Sequence, residues 1–307
     1  MSSPDQPPGD SGDARPLVGI GLYLIAGAMF TSMDATAKEL SATLPVMMIV
    51  WGRYFFHFVI MLALFPGKRA KRLIKAKRPA ALAVRGSLLL ACTFLFFTAI
   101  SMIPLADANA IGFASPLFVV ALSIPLLGER VGIRRWSAVL VGFVGILIII
   151  RPGFAEVHWA YLLILGVAFM FAVYAIMTRR LAADEDPVAM LFYTALVGVI
   201  GSSIAVVFHW QWPTPGQWPW MILIGIVGGV SHMLVIYAYR AASASLLAPF
   251  QYVMIIWATG FGWLLFGDFP DAWTIFGALI VVVAGTYVFL REAQLSKVSN
   301  ASIDVLK

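Results

Sequence analysis

The sequence predicts an all-α integral membrane protein with ten transmembrane helices, arranged as two inverted repeats of five helices. Of its 307 residues, 61% are hydrophobic and 12% are charged, against about 45–50% and about 25% in an average soluble domain. The apolar residues fall into ten long runs, and the second half of the chain repeats the first. A chain this apolar cannot cover its surface in water. This excludes a soluble enzyme, a disordered protein and a nucleic-acid-binding module.

Each of the ten apolar runs is long enough to cross a bilayer. A spanning helix needs about 20 residues, because about 30 Å of hydrocarbon is crossed at about 1.5 Å per residue. The predicted helices cover residues 17–37, 46–65, 81–101, 105–127, 131–150, 159–178, 187–209, 217–239, 244–266 and 271–291.

The distribution of positive charge predicts the orientation. The loop after the second helix, residues 66–79, carries seven Lys and Arg residues, and such residues stay preferentially on the cytoplasmic side. With ten spans, both termini are then cytoplasmic. Residues 1–16 are expected to form a polar cytoplasmic tail, since they lack the cationic region of a signal peptide. Residues 292–307 are expected to form a second cytoplasmic tail.

An internal repeat relates residues 17–150 to residues 151–291. A shift of 139 residues places glycine on glycine, aromatic on aromatic and alanine on alanine across four helix pairs. Because five helices per repeat is an odd number, the second copy is inverted in the membrane. Inverted repeats are typical of secondary transporters, whose substrate site lies near the midplane between the halves. The matched pairs are Gly27 and Gly166, Phe30 and Phe169, Tyr54 and Tyr193, Gly86 and Gly225, Ala99 and Ala238, and Gly128 and Gly267.

Two segments carry a family resemblance that covers about residues 17–291. PLADANAIGFASPLFVVALSIPLLGER in the first half and ASASLLAPFQYVMIIWATGFGWLLFGD in the second resemble the EamA repeats of the drug/metabolite transporter superfamily. The resemblance implies a basket in which helices 1, 3, 4, 6, 8 and 9 surround a central cavity, while helices 5 and 10 pack at the periphery. The second half departs from the usual Gly-Glu-Arg/Pro turn with Gly-Asp-Phe-Pro at residues 267–270.

Within that superfamily the chain looks most like bacterial inner-membrane exporters of aromatic amino acids. The resemblance therefore implies a multi-pass inner-membrane protein that exports small amphipathic metabolites, most of all aromatic or apolar amino acids, by alternating access. It implies a small-molecule substrate, contact with membrane lipid, no nucleic-acid partner and function as a monomer. Uptake or efflux of another aromatic solute or drug, riboflavin for example, is an alternative, and a channel-like pore is another.

The first two helices carry polar residues that need partners, since polar groups inside a bilayer are costly. Thr31, Asp34 and Lys38 lie in the outer half of helix 1. Asp34 and Lys38 are four residues apart and on one face, so they either pair at the rim or meet the head group of an amino-acid substrate. Arg53 in helix 2 is interpreted as structural, with Asp34 or Glu39 as its expected partner.

Helices 4 and 9 are interrupted at equivalent places. Proline follows Ser115 in one and precedes Gln251 and Tyr252 in the other, and proline leaves a carbonyl of the preceding turn without its donor. Interruptions in paired helices of two halves point to a binding site, although a packing kink without ligand contact is the alternative. Asn109 and Gln251 can each donate and accept hydrogen bonds, which suits a carboxylate or an amine.

Four further side chains complete the candidate substrate site. Histidine titrates near pH 7, so His232 is the candidate if transport is proton-linked, and a packing histidine if it is not. Tyr174, Tyr237 and Trp257 offer aromatic contacts, whereas most other tryptophans fit an interfacial belt. The predicted substrate-binding residues are Thr31, Asp34, Lys38, Asn109, Ser115, Tyr174, His232, Tyr237, Gln251, Tyr252 and Trp257.

Several functional classes lack their sequence signals. The chain contains neither a GxxxxGK[ST] phosphate-binding loop nor an HExxH motif. Its single cysteine and its four histidines, on separate spans or loops, show no metal-ligand spacing. No cofactor, no metal and no enzymatic activity are therefore expected.

Overall fold

The computed structural model describes residues 16–64, 74–128, 131–152, 158–182, 184–242 and 244–304. Within these ranges, ten helices are long and apolar enough to cross a membrane, which confirms the predicted fold class. We number them α1–α10. Their bounds are Pro16–Ser41, Val46–Leu64, Pro79–Ile100, Leu105–Gly112 continued by Ser115–Leu127, Ile133–Ile150, Ala160–Leu181, Pro187–Val206, Trp218–Ala241, Ala244–Leu247 continued through Ala248–Tyr252 by Val253–Phe266, and Ala272–Asp304.

Local sequence explains several of the helix ends. Proline stands in the first turn of α3, α7 and α8, where its missing N–H has no intrahelical partner to lose. The side chain of Asp186 accepts a hydrogen bond from the backbone of Val188 and caps α7. Gly128 and Gly267, which are 139 residues apart, end α4 and α9 in the left-handed conformation, with φ of 69° and 72°. The repeat thus appears in the backbone as well as in the sequence.

Both α4 and α9 are interrupted, as the prolines predict. In α4 the helix stops after Gly112 and resumes at Ser115, because Pro116 has no N–H to donate. In α9 the segment Ala248–Tyr252, which contains Pro249, is a 3₁₀ turn before the α-helix resumes. The two interruptions occur in helices that are equivalent in the two halves and that contact each other.

The helix contacts follow a two-fold pattern, in which each helix n of the first half corresponds to helix n+5. The contact of α1 with α8 corresponds to that of α6 with α3, and α2–α8 corresponds to α7–α3. Likewise α1–α9 corresponds to α6–α4, while the pairs α5–α10, α2–α7 and α4–α9 each map onto themselves. A two-repeat architecture with an odd number of helices per repeat produces this arrangement.

Glycines permit close approach where equivalent helices cross. A Cβ on Gly145 of α5 would lie 2.8 Å from the carbonyl oxygen of Gly277 in α10, and one on Gly277 would lie 2.6 Å from that of Gly145. Equivalent glycines face a neighbouring helix in the same way. Gly86 faces Val197 at 3.0 Å, and Gly225 faces Phe56 and, at 3.0 Å, the backbone nitrogen of His57. Small residues at such crossings let helix backbones pack closely in a bilayer.

The helix α10 extends beyond its predicted membrane span, which ends at residue 291. It continues to Asp304, within the segment 292–307 that is expected to form a cytoplasmic tail. The segment after Arg291 contains neither glycine nor proline, so nothing in it ends the helix once the apolar run is complete. The first predicted tail, residues 1–16, lies outside the described residues except for Pro16, which begins α1.

Candidate binding cavity

A cavity of about 470 Å³ lies between the two halves, a size typical of small-molecule sites. Its lining comes from α1, α3, α4, α6, α8 and α9, which are the helices expected to surround a cavity, and from one residue of α2. The peripheral helices α5 and α10 pack against each other. The lining residues are Tyr23, Gly27, Phe30, Met33, Asp34, Arg53, Leu89, Cys92, Thr93, Phe96, Asn109, Gly112, Phe113, Ser115, Val167, Phe171, Tyr174, His232, Val235, Tyr239, Gln251 and Met254.

Two opposite charges line the cavity. Asp34 on α1 and Arg53 on α2 are both buried. Nη1 of Arg53 donates to Thr93 Oγ1 at 3.1 Å, and the guanidinium lies over the rings of Tyr54 and Phe97 at 5.6 and 5.5 Å. Arg53 thus contacts a hydroxyl and two aromatic faces directly, and its expected partner Asp34 interacts with it electrostatically rather than through a direct ion pair. Such partners leave the other guanidinium nitrogens available to a ligand.

The interrupted helices place amide and hydroxyl groups on the cavity. Asn109 and Ser115 flank the break in α4, and Gln251 lies in the 3₁₀ turn of α9. The Nδ2 of Asn109 donates to the carbonyl of Leu105 at 3.0 Å, so its side-chain oxygen remains as an acceptor. The breaks thus bring both hydrogen-bonding side chains and irregular backbone to the site.

Two histidines lie side by side at the wall formed by α2 and α8. The Nδ1 of His232 donates to the Gly228 carbonyl at 2.8 Å, and its ring packs edge-on against Phe30. The ring of His57 lies 5.7 Å from that of His232. His57 Nε2 is buried without a hydrogen-bond partner among the described residues. His232 lines the cavity and His57 stands behind it.

Phenylalanine and tyrosine, rather than tryptophan, form the apolar walls. Phe30, Phe96, Phe113 and Phe171 line the cavity. Tyr23 and Tyr239, whose rings meet edge to face at 5.9 Å, line it as well. Aromatic faces of this kind suit a planar or apolar group on the ligand.

Tyr174 connects the cavity to a buried cation. Its ring lines the cavity, and its hydroxyl oxygen accepts a hydrogen bond from Nη2 of Arg85 at 2.6 Å. Arg85 is buried on α3 and was not among the predicted site residues. Arg85 follows Arg78, the last cation of the basic loop, by seven residues, so its sequence position indicates topology and does not indicate a place at the cavity.

Five predicted residues lie off the cavity, and two of them are engaged elsewhere. Thr31 is fully buried, and its hydroxyl donates to the Gly27 carbonyl in its own helix at 2.9 Å. Lys38 pairs with Asp268 at 3.1 Å and donates to the Ile103 carbonyl at 2.8 Å. The expected pairing of Lys38 with Asp34 is thus wrong, because a carboxylate 230 residues away is better placed.

The other three lie on faces of their helices that do not line the cavity. Tyr237 is half-exposed beside Arg240, while Tyr239, two positions further along α8, reaches the cavity. Trp257 is exposed on α9. Tyr252 is buried with its ring 5.0 Å from Phe113, and its hydroxyl points towards Gly285 of α10. Phe113 and Tyr252 are equivalent residues in the two repeats and meet at the symmetry axis, where Phe113 lines the cavity and Tyr252 does not.

The end of the bundle away from the α2–α3 loop is tied across the two halves. We call it the opposite end, and the end that carries the α2–α3 loop the basic end. Lys38 pairs with Asp268 at 3.1 Å and Arg151 with Asp271 at 2.6 Å. The first pair joins the two halves, and the second joins the residue that follows α5 to the residue that precedes α10.

A third contact at the opposite end is uncharged on one side. Tyr161 Oη donates to Asp107 Oδ2 at 2.8 Å, and this bond also joins the two halves.

Although partial burial raises the pKa of Asp271, hydrogen bonds from Thr274 and Arg151 outweigh it and hold that pKa below the usual range.

Ten spans, two-fold helix contacts and a central cavity with few charges define a membrane transporter built from an inverted repeat. The model of the EamA-like transporter family matches residues 17–151 and 158–291. The chain therefore belongs to the EamA-like transporter family, and it is a multi-pass protein of the bacterial inner membrane.

Curated relatives match over nearly their whole length. The chain is 28% identical to an S-adenosylmethionine uptake transporter of Rickettsia bellii, over 90% of this chain and 94% of the relative. It is 31% identical to the pseudopaline exporter CntI of Pseudomonas aeruginosa, over 87% and 94%. It is 28% identical to a riboflavin transporter of Vibrio cholerae, over 92% and 96%.

A solved crystal structure superposes on the chain with a TM-score of 0.61. The two are 19% identical over 91% of this chain and 97% of the other, a likeness that shows the fold alone.

Proposed function

We propose that this protein is a secondary transporter that exports a small amphipathic carboxylate. The cargo we propose is an amino acid, or a metabolite that retains an amino-acid carboxylate, with an aromatic or apolar side chain. The two halves move against each other around the cavity in alternating access, and the basic end faces the cytoplasm. The chain acts as a monomer.

The single observation that carries this proposal is the pair of opposite charges on the cavity. Arg53 uses one nitrogen on Thr93 and keeps donors for a carboxylate. The carboxylate of Asp34 accepts no hydrogen bond among the described residues, so it can receive an amine. Two opposite charges that face one cavity in a bilayer and form no direct ion pair among the described residues favour a ligand with a matching head group.

The cavity walls support an aromatic or apolar body on the cargo. Four phenylalanines line the cavity, and a volume of about 470 Å³ accommodates a ring system as well as a head group. Two of the cargoes in the relatives' names, S-adenosylmethionine and riboflavin, also combine a planar ring system with polar groups. Aromatic amino acids share that combination in a smaller molecule.

Counterflow in proteoliposomes tests the proposal. Vesicles that contain only the purified protein are loaded with unlabelled phenylalanine, and accumulation of labelled phenylalanine from outside is measured. Saturable accumulation that tryptophan and tyrosine suppress is expected. Absence of counterflow, with active control transporters in parallel vesicles, contradicts the proposed cargo, and riboflavin in the same assay tests the alternative aromatic solute. Ion conductance without counterflow would indicate a pore.

A further inference from the structure

Arg85 places a positive charge without a carboxylate partner beside the cavity, on the side of the basic end. It lies on α3, one helical turn nearer to the basic end than the lining residue Leu89, and its side chain is 7% exposed. Among the described residues, every acceptor that it reaches is neutral. These are Thr178 Oγ1 from Nε at 2.6 Å, Thr194 Oγ1 and the Met190 carbonyl from Nη1 at 2.8 and 3.3 Å, and Tyr174 Oη from Nη2 at 2.6 Å.

A buried cation without a carboxylate is costly inside a membrane. Apolar residues of similar size often stabilise a protein as well as or better than a buried charge does, so a simple link between α3 and its neighbours does not require an arginine. Intramembrane charges are generally paired or functional. Since the structure gives Arg85 no fixed counter-ion within the described residues, a transient counter-ion, the cargo, is the natural partner of its charge.

Tyr174 contacts both Arg85 and the cavity, so it can transmit the influence of the Arg85 charge to a ligand. Its hydroxyl oxygen accepts from Arg85, and the guanidinium lies 4.3 Å from the centre of its ring. The Tyr174 hydroxyl also makes a side-chain hydrogen bond with Thr178, so an anionic cargo beside the ring, which lines the cavity, competes with Thr178 for this hydroxyl. A hydroxyl polarised by a cation donates more strongly to an anion than to a neutral group.

The charges around the cavity do not cancel. Arg53 and Arg85 supply two positive charges, and Asp34 supplies one negative charge. The histidines at the α2–α8 wall, His57 and His232, add no negative charge. Because charges act over several ångströms in a medium of low dielectric constant, these formal charges sum to an excess of one positive charge at the empty site.

We propose that Arg85, acting through Tyr174, is a positioning residue that makes the site prefer cargo with a net charge of −1. Such a cargo is an aromatic carboxylate whose amine is absent or acylated, or one with a second carboxylate. The preference rests on the proposed function and specifies the charge class of its cargo. A zwitterion binds as well, but it leaves the charge of Arg85 unbalanced.

A thiol reporter in the cavity measures the excess charge without any transport. Cys92 is the only cysteine, so Cys92→Ser with Ser115→Cys leaves one thiol on the lining. This thiol is allowed to react with two methanethiosulfonate reagents, one with an anionic sulfonate group and one with a cationic trimethylammonium group. Each reaction rate is divided by the rate of the same reagent with free cysteine. The anionic reagent is expected to be favoured, and Arg85→Gln to reduce that preference by at least about threefold. The same preference in Arg85→Gln overturns the proposal.

Matched variants separate charge from packing. Arg85→Lys retains the charge and is expected to retain most of the reagent preference, even if its altered hydrogen bonds lower stability. Tyr174→Phe is expected to retain the reagent preference while it raises the KM for anionic cargo. Arg240→Gln removes an exposed cation outside the cavity and is expected to change neither. Equal losses in the Lys and Gln variants would mean that Arg85 is only a packing element.

Competition among three ligands with the same ring tests the cargo preference. Phenylalaninamide is cationic, phenylalanine is a zwitterion, and N-acetylphenylalanine is anionic. The anion is expected to inhibit counterflow best and the cation least, with the differences reduced in Arg85→Gln. Counterflow in which the zwitterion inhibits best supports the proposed function and overturns the charge preference. If the cavity thiol prefers the anionic reagent but no counterflow occurs, the result supports an excess positive charge at the site and contradicts the proposed cargo.

Discussion

The two ends of the bundle both join the first half of the chain to the second, but with different chemistry. At the opposite end, Lys38 meets Asp268 and Arg151 meets Asp271. At the basic end, Arg85 donates only to neutral groups, although an exposed pair forms at the loop surface between Arg78 and Asp184. When the ion pairs at the opposite end break, each charged side chain can be solvated by water. The unpaired charge remains beside the cavity, where a ligand can use it.

Removal of either cavity charge is expected to have the largest effect. Arg53→Gln should lower transport at least about tenfold, because a hydrogen-bonded charge contributes about 1.5–3 kcal/mol to binding. Asp34→Asn should do the same for zwitterions but less for N-acetylphenylalanine, which has no ammonium group. Counterflow rates against cargo concentration measure both. Equal rates in Arg53→Gln and wild type would mean that the charge of Arg53 does not take part in cargo binding.

A contrast within α9 is expected to give the next largest effect. Gln251 lines the cavity, while the hydroxyl of the adjacent Tyr252 points to Gly285 of α10. Gln251→Ala should reduce transport about three- to tenfold through the loss of one polar contact. Tyr252→Phe should leave it unchanged. The same flux assay serves for both, at matched protein levels, and the reverse result would assign Tyr252 to the site.

Loss of an ion pair at the opposite end is expected to change conformation more than cargo affinity. Lys38→Met removes the contacts with both Asp268 and the Ile103 carbonyl. It should favour the state open at the opposite end by a few-fold, because a half-buried pair contributes about 1 kcal/mol. Faster thiol modification of a Ser115→Cys reporter from the outside of sealed vesicles measures the change. An unaltered rate would mean that this pair does not hold the end closed.

The smallest effect is expected for the pair of Arg151 and Asp271. Arg151→Gln should lower stability by about 0.2–1 kcal/mol, since both side chains are partly exposed. The lowered pKa of Asp271 means that its contribution is complete above the ordinary carboxyl pKa and is lost only as the pH falls below it. The difference in Tm between variant and wild type should therefore be equal at pH 6 and pH 8. A Tm difference that is smaller at pH 6 than at pH 8 would contradict the lowered pKa of Asp271.

The fold could be predicted from the sequence because its determinants are local or periodic. Apolar length sets the ten helices, Pro116 and Pro249 interrupt α4 and α9, and Gly128 and Gly267 end the same helices. The continuation of α10 beyond Arg291 could not be predicted from apolar length, because a polar segment without glycine or proline can continue a helix outside the apolar run.

The site could be predicted only in part, because helix rotation and distant partners decide it. Helix α8 is apolar on all sides, so periodicity does not distinguish Tyr237 from Tyr239 as the inward residue. Lys38 has Asp34 within reach along its own helix, but Asp268 arrives from the other half of the chain. Arg53 is costly at mid-helix whether it packs or binds, and only the structure shows it on the cavity.

Protection of the cavity thiol by cargo tests the central claim most directly. In Cys92→Ser with Ser115→Cys, saturating phenylalanine or N-acetylphenylalanine should slow modification at position 115 by several-fold. A matched Ala42→Cys reporter, on the exposed loop after α1, should react at the same rate with and without cargo. If cargo is transported but leaves the rate at position 115 unchanged, then the cavity between the two repeats is not the binding site.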